Sequence, residues 1–163
     1  MRHGNRVEWA LHCALTLAGL GKGQRLSGAA LAELYEVPPQ YLAKALQSMA
    51  TAGLVDSVPG RAGGYCLARA ASSISLLDVI DAIEGGEPAF RCQEIRRRGP
   101  CSRIKSRHFV KPCLLAEAMH RAESAWRREL SGLTLADVLA DVAREVPAVI
   151  RDALVEWTSS RVT

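Results

Sequence analysis

The stretch PPQYLAKALQSMATAGLVDSVPGRAGGYCLA, residues 38–68, decides how this chain folds. Proline is tolerated in the first turn of a helix, so Pro38 or Pro39 opens one. That helix runs from residue 40 to about residue 51, with Leu42, Leu46, Met49 and Ala50 facing inward, and Gly53 ends it. Residues 54–58 and 65–68 then read as two short strands around the glycine-rich turn 59–64, a β-hairpin.

Working outward, Val7, Leu11, Ala14, Leu15 and Ala18 recur at helical spacing through residues 7–20. Ser27 is an N-cap for a short helix over residues 28–35, with Leu31 and Leu34 on one face, and residues 36–39 break it. On the C-terminal side, Ser75 caps a helix over residues 76–84 that Gly85-Gly86 stops. Residues 87–112 have no period and contain Pro88, Gly99, Pro100 and Pro112; an irregular segment this long is usually functional. Helix resumes over residues 113–130, with an apolar stripe of Leu114, Ala118, Ala122, Ala125, Trp126 and Leu130. Thr134 caps residues 135–144, and a last helix over residues 148–157 precedes a frayed tail.

The expected fold is mainly α with a small β-hairpin wing. It is a winged helix-turn-helix with a long C-terminal helix suited to dimerisation. The reading divides the chain into a winged helix-turn-helix (1–84), a cysteine-containing sensor loop (85–112), the long helix with the short one after it (113–145), and a helical tail (146–163).

The 163 residues, 48% hydrophobic and 23% charged, suit one domain with a real core and exclude wholesale disorder. No apolar run approaches the ~18 residues that span a bilayer. The first residues run straight into an amphipathic helix without a small-residue cleavage site, which points to the cytoplasm. Residues 91–111 hold eight basic side chains against Glu94 alone, so this segment is more basic than the whole chain, whose net charge is +4. Asp78, Asp81, Glu84 and Glu87 form an acidic stretch beside it. Five cysteines, an odd count without an export signal, argue against a disulfide framework. Cys13 and Cys66 sit among apolar residues and read as buried small hydrophobes. Cys92, Cys101 and Cys113 fall in or beside the basic block, where cationic neighbours favour the thiolate.

In a helix-turn-helix the second helix enters the major groove by its N-terminal residues. Here these are Pro39, Gln40, Tyr41 and Lys44. Gln40 suits an adenine edge, while Tyr41 and Lys44 reach phosphates. Ser27 offers a hydroxyl and a helix N-terminus to a phosphate. Arg61, at the hairpin tip, is placed for a narrow minor groove. The three loop cysteines are not spaced as a zinc ribbon; thiolates are the usual ligands of iron–sulfur clusters, whose negative charge a cationic loop balances. Glu8, Tyr35, His12 and His108 are candidates to complete such a site. A reversible thiol–disulfide sensor is the alternative. A cysteine-dependent enzyme is the distant one, since no His–Asp arrangement or phosphate-cradling loop stands near a cysteine.

The chain resembles the Rrf2 family of bacterial winged-helix regulators, which includes iron–sulfur (IscR) and nitric-oxide-sensitive (NsrR) types. The resemblance rests on Val7-Glu8-Trp9-Ala10-Leu11, Leu31-Ala32-Glu33, Tyr41-Leu42-Ala43-Lys44-Ala45-Leu46 and Ala52-Gly53-Leu54-Val55. It continues through Gly60-Arg61-Ala62-Gly63-Gly64-Tyr65-Cys66-Leu67-Ala68-Arg69, Ile74-Ser75-Leu76-Leu77-Asp78-Val79-Ile80 and Leu133-Thr134-Leu135-Ala136-Asp137. It implies a homodimeric transcription regulator on double-stranded DNA, with no membrane and no small-molecule substrate. It also implies an iron–sulfur cluster, [2Fe–2S] ahead of [4Fe–4S], held by Cys92, Cys101 and Cys113. In part of the family a carboxylate on the partner's first helix completes the site, and Glu8 occupies that place. The gaps between the cysteines are wider than the family's usual ones, and Ala116 stands where some members carry a histidine.

Overall fold

The computed structural model describes residues 4–60 and 63–163. Its order is α1 (Asn5–Ala18), α2 (Gly28–Leu34), α3 (Pro39–Thr51), β1 (Val55–Val58), β2 (Gly64–Leu67), α4 (Leu76–Glu84), α5 (Leu114–Gly132), α6 (Leu135–Glu145) and α7 (Ala148–Ser159). This is the expected mainly helical winged helix-turn-helix. No described helix is long and apolar enough to cross a membrane.

α1 buries Val7, Ala10, Cys13, Ala14 and Leu17, the stripe expected of a helix lying on a core. The Ser27 Oγ accepts from the Ala30 amide at 3.0 Å and starts α2. α2 and α3 end the same way. In α2 the amides of Glu36 and Val37 donate to the carbonyls of Glu33 and Ala32; in α3 those of Gly53 and Leu54 donate to Ala50 and Met49. Both are Schellman closures, which need a left-handed residue. Gly53 supplies it after α3 (φ 67), but Glu36 supplies it after α2 (φ 50), so the motif's turn is made without glycine. Pro39 is the first residue of α3, and Leu42, Ala45, Leu46 and Met49 are its fully buried face. Ala50, expected inside, is only half-buried, because the helix turns Ala45 inward instead.

β1 and β2 pair antiparallel, Val55 opposite Leu67 and Val58 opposite Gly64. The second edge of β2 is held by Leu26 and Tyr65, whose amides and carbonyls bond reciprocally at 2.8 and 3.1 Å. A Cβ on Gly64 would stand 2.7 Å from the Leu26 carbonyl oxygen, and one on Gly63 would meet that of Val58. The glycine pair is therefore required by close backbone approach. Cys66 is half-buried opposite Asp56 rather than buried as expected, since a two-stranded sheet covers only one of its faces.

Ser75 and Thr134 each head a helix with a capping box, and the two cap residues form a β-bridge. Leu76 donates to the Leu133 carbonyl and Leu135 to that of Ile74, so α6 starts where α4 starts. The tail is not frayed. Thr163 and Arg25 exchange both backbone hydrogen bonds at 3.0 Å, and Arg161 lies over the Trp157 ring at 4.1 Å while pairing with Glu33 at 2.9 Å. The chain end thus extends the strand edge already occupied by Leu26, a pairing with no local sequence signal.

Candidate functional site

The N-terminal turns of α3 bury one face in the core and leave the other to solvent. Gln40 and Lys44 are exposed and Tyr41 is half-exposed on the outward face, opposite Leu42, Ala45 and Leu46. Packing of α3 against α1, α2 and α4 fixes that orientation. The Ser27 oxygen is occupied by its cap, but a hydroxyl keeps its proton to donate. Arg61 lies outside the described residues. Arg6, which sequence reasoning did not single out, shares a shallow hollow with Lys44, Gln47 and Ser48. Its distance from Lys44 in the chain hides it, although a base on the first turn of α1 is a signal.

The second constellation lies at the start of α5. The Sγ atoms of Cys92 and Cys113 and a carboxylate oxygen of Glu94 lie within 4.8 Å of one another. Cys113 is the N-cap residue of α5. The backbone amides of Ala116 and Leu115 at the helix start favour the thiolate and hold the thiol below its ordinary value, with help from the Cys92 side chain and the Arg96 charge. A helix N-terminus favours negative charge for the same reason. The Cys92 thiol points to Glu94 Oε1 at 3.6 Å.

Arg96, carried on a short helical turn of the loop, builds this cluster. Its Nε donates to both Glu94 oxygens at 3.0 and 3.2 Å, and its terminal nitrogens to the carbonyls of Lys111 (2.5 Å) and Pro112 (3.3 Å). One guanidinium therefore ties the Cys92 end of the loop to the Cys113 end. Arg96 and Arg97 both lie over the Phe109 ring, 5.6 and 5.5 Å from its centroid. Glu94 adopts a left-handed conformation (φ 49) that starts the short helical turn carrying Arg96.

The structure thus brings two of the four expected ligands together and adds Glu94, which had been read only as the lone acid of the basic block. Cys101 is half-buried in another turn of the loop, outside the group. Glu8 is exposed on α1 and lines a groove of about 410 Å³ with Leu11, Trp126 and Leu130, away from the thiols of its own chain. The His12 and Tyr35 rings meet at a tilt, 5.4 Å between centroids, and the Tyr35 and Thr16 hydroxyls share a hydrogen bond at 2.6 Å. His108 is exposed beside Arg107. Cys13 is fully buried, and burial pushes its thiol up to about 12, so it stays a neutral core group.

Sulfurs bound to one tetrahedral metal at about 2.3 Å lie about 3.8 Å apart. Two cysteine sulfurs and a carboxylate within 4.8 Å of one another can reach three positions of such a metal, a donor set open to zinc as well as to the iron of a cluster.

α5 leaves most of its apolar stripe uncovered. Ala116 and Glu123 are buried, whereas Leu114 and Leu115 are largely exposed. Glu123 receives the Ala89 amide at 3.1 Å, and Arg127 makes two bonds to Asp81 at 3.0 and 2.5 Å, so α5 is held to α4 by charges.

A three-helix bundle whose third helix turns one face to solvent, with a flanking two-stranded wing, is the architecture of winged helix-turn-helix transcription regulators. The family model Rrf2, described as an iron-dependent transcriptional regulator, matches residues 3–141. The chain belongs to that family, whose members are regulators and not enzymes. It is 34% identical over 138 residues to the HTH-type transcriptional regulator YffB of Lactococcus lactis, spanning 85% of this chain and 86% of that one. Its fold is shared with IscR of T. potens (TM-score 0.68, 22% identity, 91% and 93% of the two chains). It is shared as well with CymR of B. subtilis, named as a global cysteine regulator (TM-score 0.64, 21% identity, 86% and 97%).

Proposed function

We propose that this regulator is a homodimer whose grip on operator DNA is set by an iron–sulfur cluster at the start of α5. The observation that carries the reading is the convergence of Cys92 and Cys113 at a helix N-terminus, inside a strongly cationic loop. Cys92 and Cys113 would hold the group; Cys101, Glu94 and Glu8 of the partner subunit are the candidates for the remaining positions. When bound, such a cluster supplies an electron acceptor and a site that nitric oxide attacks. The chain's own part is to link the sulfur to the reading helix. Cys113 caps α5, Arg127 ties α5 to Asp81 of α4, and α4 packs on α3. A change in what Cys113 binds therefore reaches Gln40, Tyr41 and Lys44 as a shift between two dimer states. The uncovered stripe of α5 supports the dimer, and two-fold pairing suits palindromic half-sites. Ser27, Pro39 and Arg61 complete the proposed DNA contacts.

The test is anaerobic purification followed by iron and sulfide analysis, a visible spectrum and binding to DNA sites selected by the protein. The expected protein is coloured; Cys92→Ser and Cys113→Ser lose iron while keeping helicity. Arg127→Ala keeps iron but weakens the link between cluster state and DNA affinity. Colourless, iron-free anaerobic protein would overturn the reading.

A second reading rests on the same two sulfurs and on the likeness to a cysteine regulator. In it the Cys113 thiolate attacks a peroxide oxygen, forming a sulfenic acid and releasing the other oxygen as water or alcohol. The Cys92 sulfur then displaces water to form the disulfide. A Cys92–Cys113 disulfide that changes DNA affinity in iron-free protein would favour it.

A further inference from the structure

A cleft of about 400 Å³ opens between α1, α6 and α7, further along the face of α1 that also borders α5. Its walls are apolar, with Leu15, Leu139, Val142 and Leu154 prominent. Almost every polar group that reaches it is already satisfied inside the chain. Thr16 and Tyr35 share a hydrogen bond at 2.6 Å, and the Tyr35 hydroxyl also donates to the His12 carbonyl at 3.2 Å. Thr158 donates to the Leu154 carbonyl at 2.9 Å. His12 sits exposed at the rim; among the described buried side-chain nitrogens of the cleft, the Arg151 Nε meets no acceptor. Among the described residues, no Asp or Glu lines the cleft.

A buried guanidinium nitrogen without an acceptor is costly unless something supplies one. We propose that the cleft binds a monoanionic amphiphile, its carboxylate on Arg151 and its hydrocarbon body along Leu139, Val142 and Leu154. One cation at the edge of apolar walls fits one negative charge on an apolar body, and a planar carboxylate matches the guanidinium fork. Burial keeps the Tyr35 phenol neutral, so it does not compete for the arginine.

The occupant would touch parts that bear on DNA reading. Tyr35 is the C-cap of α2. α7 runs on to Arg161, paired with Glu33 of α2, and to Thr163, paired with Arg25 beside the Leu26–Tyr65 bridge at the wing's base. α7 lies outside the 3–141 span of the family match.

The test is calorimetric titration of the full chain with sodium decanoate below its micelle concentration, with decanol as the uncharged control. The expected result is one saturable site per chain, with decanoate favoured over decanol by about tenfold or more. Arg151→Met should lose that preference by a similar factor with unfolding temperature unchanged or raised, because it removes the unpaired nitrogen. Ala143→Phe, which narrows the cleft and leaves the arginine in place, should also weaken binding. Hydrogen exchange at Arg25 and Thr163 should slow on binding. Absent binding, or equal binding by Arg151→Met, overturns the proposal. So does absent binding together with a change of sedimentation mass in Leu154→Asp, which assigns the cleft to a second copy of the chain. None of these readouts involves iron, so failure here leaves the cysteine reading standing, and the reverse.

Discussion

The winged-helix core and the cysteine loop are built on opposite principles. Leu31, Leu42, Leu46 and Met49 are fully buried, and the helices they belong to are closed by backbone motifs. From residue 85 to 112 no residue is buried, and the loop takes its shape from the hydrogen bonds of Arg96 and the Phe109 ring it shares with Arg97. Packing cannot rearrange by small steps without loss of dense contact. A loop held by a few polar contacts opens at low cost while the rest stays folded. A reading helix needs the first kind of structure and a sensor the second.

That contrast can be broken at several levels. The largest effect belongs to the core: Leu46→Ala should cost about 2–5 kcal/mol of stability in urea unfolding. On the reading face, Gln40→Ala should leave stability alone and cost about 1–3 kcal/mol of discrimination at one base pair. Lys44→Ala should weaken all sequences alike and lower the salt slope by about one. Ser75→Ala, which removes a cap at the junction of α4 and α6, should cost about 1 kcal/mol. Arg96→Ala should change stability by no more than about 0.5 kcal/mol. A loss as large as that of Leu46→Ala would mean that the loop is part of the core, and the contrast would fail.

The same substitution should change chemistry. The Cys113 thiol lies below its ordinary value and Cys13 is pushed up to about 12. In reduced, iron-free protein, iodoacetamide at roughly pH 6–9 should therefore label Cys113 and spare Cys13. The Cys113 rate falls as pH drops through its lowered value, because protonation removes the thiolate. Arg96→Ala withdraws a cationic neighbour, so the midpoint of that profile should move to higher pH. An unmoved midpoint would assign the thiolate to the amides of Leu115 and Ala116 alone.

Much of this was legible in the chain. α4 spans the residues its Ser75 cap and Gly85 stop define, and α3 begins at the proline that can open it. The hairpin follows from the glycine pair, and the uncovered reading face of α3 follows from where Leu42, Leu46 and Met49 must go. The family's motifs pointed to Cys92, Cys101 and Cys113 with Glu8, of which the fold brings Cys92 and Cys113 together. Glu94 escaped notice because a single acid among eight bases looks like solvated surface until Arg96 is seen to hold it. The docked tail and the cleft beside Arg151 were equally invisible.

Caps, glycines and hydrophobic spacing act within a turn or two of helix, so the residues alone dictated where elements begin, end and face. Which thiols meet, what Arg151 lacks and where Thr163 ends up depend on segments far apart in the chain. Only the packed fold sets their distances, because a contact across the molecule carries no period and no neighbour that could announce it.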